Sequence, residues 1–331
     1  MKMNKTDKNR DYDSSTGKRD FRSSDSKSDL QQDSRGILFG LAGGMLWAVD
    51  SVILSMALAP YEMIWMAPVV ATFIHDSISA LILILLQIAK KKLGQLLHLL
   101  TMKEGRWLIF AGLLGGPVGM SGYVFCIRYA GPGLSAVFSC LYPAFGLLLS
   151  FLLFHERFSK RQILGLILSL SGVIALSAGS AQSDNSNLLI GLVFGLVCAL
   201  GWALEGLVAQ KSTESQMVSS DQALTIRQIT SSITFGLILV PLLDGWPLTS
   251  QIIMSPDLKV IALAAIAGTA SYLCYYKAIH LIGASKAMPL NITYSGWAIV
   301  FSLLLLGSIP TFLEIAAAII ILAGALMCSS K

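Results

Sequence analysis

The sequence predicts an all-α integral membrane protein of about ten transmembrane helices, built as two inverted five-helix repeats. Three observations predict it: ten apolar stretches of spanning length, Lys and Arg concentrated in one set of loops with only Arg128 and Lys259 near the other face, and a match between the two halves of the chain. Of 331 residues, 54% are hydrophobic and 13% charged, where a soluble domain has roughly one-quarter charged residues. Mean hydropathy is +0.69. Water is the wrong solvent for such a chain.

Residues 1–35 form a polar tail with nine of the 24 basic residues, seven of the 19 acidic ones and almost no apolar content, a composition that predicts disorder. The apolar stretch from Gly36 is longer than the core of a cleaved signal peptide, about 7–15 residues, and reads as a retained first span. A bilayer core near 30 Å needs about 20 apolar residues per helix. On that measure spans are expected at 36–58, 62–89, 107–129, 133–154, 161–180, 188–210, 220–243, 258–280, 284–306 and 311–328. The first repeat then covers 36–180 and the second 188–328. If the tail is cytoplasmic, so are the loop 90–106, with Lys90, Lys91, Lys92, Lys103 and Arg106, and the turn at 155–160 with its flank, which has Arg157, Lys160 and Arg161. The segments 181–187, 244–257 and 307–310 hold no Lys or Arg. This positive-inside pattern predicts a multi-pass plasma-membrane protein with both termini cytoplasmic. The net charge of +5 is read as membrane orientation, so no nucleic-acid partner is expected.

Gly36-Ile37-Leu38-Phe39-Gly40-Leu41 with Trp47-Ala48-Val49-Asp50 matches Gly191-Leu192-Val193-Phe194-Gly195-Leu196 with Trp202-Ala203-Leu204-Glu205 without a gap. Downstream, His75-Asp76 lies opposite Arg227-Gln228, and Cys126 to Ala130 opposite Cys274 to Ala278; after a four-residue insertion Gly131 aligns with Gly283, Tyr142 with Tyr294 and Gly172 with Gly324. Five spans per copy force the second copy to be inverted. Inverted repeats that meet at a midplane site are a transporter architecture, since rocking one against the other exposes the site to each side in turn.

The segment Ser135 to Leu176, with Tyr142-Pro143, the apolar run to Phe154, His155-Glu156-Arg157 and then Gly165 and Gly172, resembles the fourth and fifth spans of the drug/metabolite transporter superfamily in its ten-span EamA-type form. The resemblance covers roughly residues 36–328. It implies a small-molecule substrate, and central-cavity roles for the helices of Tyr142 and Tyr294. The second copy departs from the pattern, with Ser295 in place of the Pro and Ser308 in place of Glu156. The acid in the first helix is more similar to the four-span multidrug relatives, where a Glu binds protons and cationic substrate in competition.

Asp50 lies about 14 residues into its helix, roughly 21 Å at 1.5 Å per residue, and a carboxylate at that depth is a functional candidate by default. Asp50 and Glu205 are thus the candidate proton and substrate groups. His75, Asp76 and Arg227 form the next polar layer. His75 and Asp76, as neighbours, point about 100° apart on a helix, and Arg227 is placed either to snorkel to the interface or to pair with Glu205 or Asp76. Asn291, Tyr294 and Tyr142 are candidate binding groups, and Trp47 and Trp202, away from the interfacial belts, candidate cavity walls. Gly115-Gly116-Pro117-Val118-Gly119 breaks or thins the third helix and favours close packing.

The expected function is secondary transport, with export, of a small polar metabolite such as an amino acid or amine, proton-coupled through Asp50 and Glu205. A multidrug or cation exporter is the alternative. No Walker-type phosphate loop is present, so ATP is not the direct energy source; no cofactor and no metal are expected, and the five cysteines lie singly in apolar runs. A remote alternative is an intramembrane serine hydrolase using Ser121 of Gly119-Met120-Ser121-Gly122, for which the base would be His280 near the far end of its helix. A scaffold or receptor has no positive feature beyond the tail. Besides its substrate the protein needs only the lipid bilayer as partner, as a monomer or homodimer, because two copies in one chain supply what a four-span relative gains by dimerising.

Overall fold

The structure is a computed structural model and describes residues 15–177, 188–214 and 217–330, with side chains from residue 31 apart from 132 and 133. The expected outer segment 181–187 and the end of the fifth span lie outside the described residues. Among the described residues ten helices are long and apolar enough to cross a bilayer: span 1 (Gln31–Tyr61), span 2 (Ala67–Ala89), span 3 (Lys103–Gly131), span 4 (Leu134–Phe154), span 5 (Lys160–Ser177), span 6 (Leu188–Thr213), span 7 (Ser220–Leu242), span 8 (Asp257–Ile282), span 9 (Ala284–Leu306) and span 10 (Phe312–Ser329). The chain is an all-α, ten-span membrane protein.

Span 2 starts five residues later than hydropathy suggests, because Ala59–Tyr61 forms a 3₁₀ turn and Pro68 sits at the start of the helix, where its missing N–H costs nothing. The helix of span 1 extends back to Ser15, into the stretch whose composition predicts disorder. A nucleated helix lengthens at little cost, so the apolar span carries the polar residues before it into helix. Two segments read as loops contain short helices, Leu93–Thr101 and Trp246–Met254. They occupy equivalent places in the two repeats, burying Leu96 and Leu99 in one and Leu248 and Ile252 in the other.

The repeat is visible in how the spans pair. Span 1 packs on span 8 as span 6 packs on span 3; span 1 meets span 9 as span 6 meets span 4; spans 2 and 7, and spans 5 and 10, pair across the pseudo-axis. Gly36 lies against Ile282 as Gly191 lies against Ala130, and Gly40 against Leu290 as Gly195 against Phe138. These contacts equate Ala130 with Ile282, so the match of Cys126–Ala130 to Cys274–Ala278 is four residues out of register at the ends of spans 3 and 8. The runs Cys126–Ala130 and Cys274–Ala278, each a Cys and an Ala separated by three residues, look alike in sequence; only the packing shows that they are one helical turn out of register. Both spans end at a glycine with positive φ, +85° at Gly131 and +81° at Gly283, a conformation open to glycine but not to most residues.

The inversion is equally direct. Lys90, just past the end of span 2, reaches Asp221 at the start of span 7, 2.7 Å away. Gly165, early in span 5, meets Gly324 and Cys328, late in span 10. Equivalent spans therefore run antiparallel.

Candidate functional site

At mid-depth each repeat supplies one acid–base pair, and the first repeat adds a second acid, Asp76. In the first, His75 Nε2 of span 2 lies 3.2 Å from Asp50 Oδ1 of span 1. In the second, Arg227 of span 7 donates from Nε to Glu205 Oε1 of span 6 at 2.8 Å. Asp76 joins the two pairs: its Oδ1 is 3.0 Å from His75 Nδ1, and its Oδ2 is 3.4 Å from Arg227 Nη1 and accepts from Ser231 Oγ at 2.5 Å. Arg227 also donates to Gln228 Oε1 and, from Nη2, to Tyr272 OH at 3.1 Å; Tyr276 OH donates to Glu205 Oε1 at 2.9 Å. All five ionisable groups are buried, Arg227 to 1% exposure. Charges taken out of water cost several kcal/mol each unless they are paired and hydrogen-bonded, and this layer meets that condition almost throughout.

The helical offset between His75 and Asp76 is kept, with His75 Nε2 facing span 1 and Asp76 facing span 7, yet Nδ1 and Oδ1 of the two neighbours still touch. Arg227 does not snorkel. Glu205, Asp76, Gln228 and Tyr272 hold it in the interior.

This layer forms one wall of a cavity of about 380 Å³ lined by Asp50, His75, Asp76 and Arg227 and by Trp47, Tyr123, Trp202, Tyr272 and Tyr294. The cavity extends past Ser55, Leu58, Pro68 and Ile127 toward the face opposite Lys90. A smaller pocket of about 40 Å³ lies behind it, lined by Glu205, Tyr142 and Asn291. Trp47, Trp202, Tyr272 and Tyr294 border both spaces. Beyond the small pocket the way toward the basic face is closed: Asn291 Nδ2 donates to Tyr142 OH at 3.0 Å, Tyr142 OH to Met288 O at 3.2 Å, and Ser285 Oγ to Glu156 Oε2 at 2.9 Å.

The aromatic walls are fixed by their contacts. Trp47 and Tyr272 meet edge to face with centroids 5.0 Å apart, Tyr142 and Trp202 likewise at 6.0 Å, and the Arg227 guanidinium lies 4.7 Å from the centre of the Tyr272 ring. Leu114–Met120 in span 3 is a π-helical turn containing Pro117, and the carbonyl of Gly115 accepts the Trp202 indole N–H at 3.0 Å. Such turns recur at functional sites. The glycine-rich segment thus packs spans 3 and 6 together and also orients a cavity wall.

The ten residues singled out from sequence all reach these spaces. Trp47, Asp50, His75, Asp76, Trp202, Arg227 and Tyr294 line the larger one; Glu205, Tyr142 and Asn291 line the smaller. The sequence reading omits Tyr272, Tyr276 and Tyr123. Three tyrosines within five residues of mid-span 8, Tyr272, Tyr275 and Tyr276, lie far from an interfacial belt and were the signal available. Ser121 Oγ is buried with no hydrogen-bond partner, so the base that a serine nucleophile needs is not in reach and the hydrolase alternative loses its support.

A ten-span helical membrane protein of two inverted repeats with a polar cavity at their interface is a secondary-transporter architecture. Residues 34–178 and 189–330 each match the EamA-like transporter family, and the chain belongs to that family. It is 32% identical over 269 residues to Protein LicB of Haemophilus influenzae, covering 80% of this chain and 87% of that one. It is 24% identical over 212 residues to a protein of Salmonella typhimurium named a probable amino-acid metabolite efflux pump, covering 62% of this chain and 71% of that protein. A solved crystal structure superposes with a TM-score of 0.66 at 16% identity, covering 89% of this chain and 96% of the other; the fold is shared.

Proposed function

We propose that this protein is a secondary transporter of a small organic cation, an amine or quaternary ammonium compound, which binds in the 380 Å³ cavity beside Asp50. The observation that carries the reading is a carboxylate in an aromatic-walled cavity. The faces of Trp and Tyr attract a desolvated cation by about 2 kcal/mol or more each, and Trp47, Trp202, Tyr272 and Tyr294 stand around the space that Asp50 enters.

An amino acid fits this cavity less well than an amine. Its carboxylate needs a free donor, and Arg227, the only Lys or Arg among the residues lining the cavity, already serves Glu205, Asp76, Gln228 and Tyr272. The volume favours a metabolite over a bulky drug, because ligand pockets for drug-sized molecules run from about 300 to 1,000 Å³ and this one stands near the lower end. Transport is coupled to proton exchange at the layer that holds Asp50 and Glu205. Export is the direction a cation–proton exchanger takes when the outside is more acidic, and the Salmonella relative's name supports it. The protein works in the plasma membrane with both termini cytoplasmic, as one chain containing both halves of the site.

Calorimetric titration of the purified protein with tetramethylammonium, putrescine, lysine and glutamine tests the substrate class. Saturable binding of tetramethylammonium or putrescine, weakened at least tenfold by Asp50→Asn, is expected. Binding of glutamine with no response to either cation would contradict the proposal.

A further inference from the structure

The two acid–base pairs occupy equivalent places, yet they are not chemically equivalent. Glu205 faces an arginine, whose guanidinium stays charged at every physiological pH. Asp50 faces a histidine, a side chain that can both carry a proton's charge and release it. We propose that the Asp50–His75 pair is the titrating half of the site and Glu205–Arg227 its fixed half: protonated His75 occupies Asp50 in the empty cavity, and the arriving cation takes that carboxylate as the imidazolium releases its proton. The inference rests on the cation-site reading and deepens it by naming the group that carries the proton.

The atoms are arranged for this exchange. Asp76 Oδ1 lies 3.0 Å from His75 Nδ1, which holds a proton on Nδ1 in both charge states. The proton that comes and goes is therefore on Nε2, the atom 3.2 Å from Asp50 Oδ1. In a densely hydrogen-bonded layer, Asp50 Oδ1 and His75 Nε2 are buried and close but make no aligned hydrogen bond, so this is the link that a cation opens at least cost. Both residues line the cavity, whereas Glu205 lines only the smaller pocket behind it.

The other groups around His75 do not compete for the role. Span 1 contributes only Asp50, span 2 the neighbour Asp76, and span 7 Arg227, through Asp76, together with Gln228, which bonds to Ser79. Span 8 presents Tyr272, bonded to Arg227, and the backbone at Gly268, so near that an added Cβ would stand 2.6 Å from His75 Nε2. Span 3 adds Tyr123 on the far wall of the cavity. The proton balance closes: one H⁺ leaves Nε2 to water in the cavity, and one monovalent cation replaces its charge beside Asp50.

Tetramethylammonium titrations of the full-length protein from pH 5.5 to 8.5, in buffers of different ionisation heat, read both affinity and protons released. Wild type is expected to lose affinity as pH falls, approaching tenfold per unit once the imidazole is mostly protonated, with about one proton released per cation at low pH. His75→Gln, a neutral stand-in, is expected to bind at a nearly constant affinity across the range with no proton release. His75→Arg, which copies the second repeat, is expected to bind weakly across the same range. Glu205→Gln is expected to keep the wild-type slope. A slope unchanged in both His75 variants, or lost in Glu205→Gln, would overturn the assignment of the proton to His75. Absence of tetramethylammonium binding at any pH would instead overturn the cation site on which it rests.

Discussion

Trp202 donates its indole N–H to the carbonyl of Gly115, 3.0 Å away, and this bond ties span 6 of one repeat to the π-helical turn of span 3 in the other. The indole donates to that carbonyl while its ring stands in the cavity wall. Close packing and site geometry are one feature here. A Cβ at Gly115 would collide with the Glu205 carboxylate, and one at Gly119 would come within 2.6 Å of the Trp202 ring.

Gly115→Ala is therefore expected to displace Glu205 and to cost about 1–3 kcal/mol, the usual range for overpacking. Trp202→Phe keeps an aromatic wall but removes the indole hydrogen bond to Gly115, at a cost of about 1 kcal/mol. Thermal unfolding in detergent should rank Gly115→Ala below Trp202→Phe and both below wild type. Equal stability of Gly115→Ala and wild type would mean that the contact with Glu205 is not as close as described.

Arg227 and Glu205 are buried together, so removal of one partner leaves a bare charge. Arg227→Met alone, which strands both Glu205 and Asp76, is expected to cost about 3–5 kcal/mol and to lower folded yield. Arg227→Met combined with Glu205→Gln should recover part of that loss. The check is the coupling energy of the double-mutant cycle, which is expected to be well above the experimental error; simple additivity would show that the pair does not interact.

Spans 5 and 10 meet through glycines. A Cβ at Gly165 would stand 2.6 Å from Gly324 O and one at Gly324 would stand 2.6 Å from Gly165 O, and Ser169 Oγ donates to Ile321 O at 2.9 Å. Gly165→Leu is expected to separate the two helices and lower the unfolding temperature markedly, while Ile167→Leu, at an exposed, lipid-facing position, should leave it within a degree or two. The comparison separates packing at this seam from general intolerance to substitution.

On the basic face, Lys90 pairs with Asp221 at 2.7 Å, with Gln87 adding a contact to the same carboxylate at 3.3 Å. Lys90 is 44% exposed at its side chain, and exposed pairs contribute under about 1 kcal/mol. Lys90→Ala should therefore leave stability almost unchanged but shift the balance between the two access states by no more than about fivefold. Thiol labelling of cysteines placed at Tyr142 and Ser55, on either side of the aromatic layer, reads that shift as opposite changes in reactivity.

The spans were legible in the sequence because a bilayer leaves a helix few choices: about 20 apolar residues in length, with basic residues kept on one side. The register of the acids was legible too, since the gapless match of 36–50 to 191–205 puts Asp50 and Glu205 at one position, and the match of His75 to Arg227 places a base opposite each. What sequence could not supply is distance. Asp76 bridging both bases and Tyr272 and Tyr276 closing on Arg227 and Glu205 depend on how spans 2, 7 and 8 cross. The four-residue register error at the end of spans 3 and 8 has the same origin: two alike runs one turn apart are decided by which face meets Gly36 and Gly191. The short helices at 93–101 and 246–254 leave no spanning signal in the sequence, because each has nine residues, about half the length of a span.

The central claim, a cation site between the repeats that opens to each side in turn, is tested most directly by equilibrium counterflow. Liposomes containing the protein are loaded with unlabelled tetramethylammonium and diluted into a trace of labelled tetramethylammonium. Transient accumulation of label by wild type, abolished by Asp50→Asn and strongly reduced by Trp47→Ala, is the predicted result. Counterflow that is unchanged in both variants would contradict the site described here.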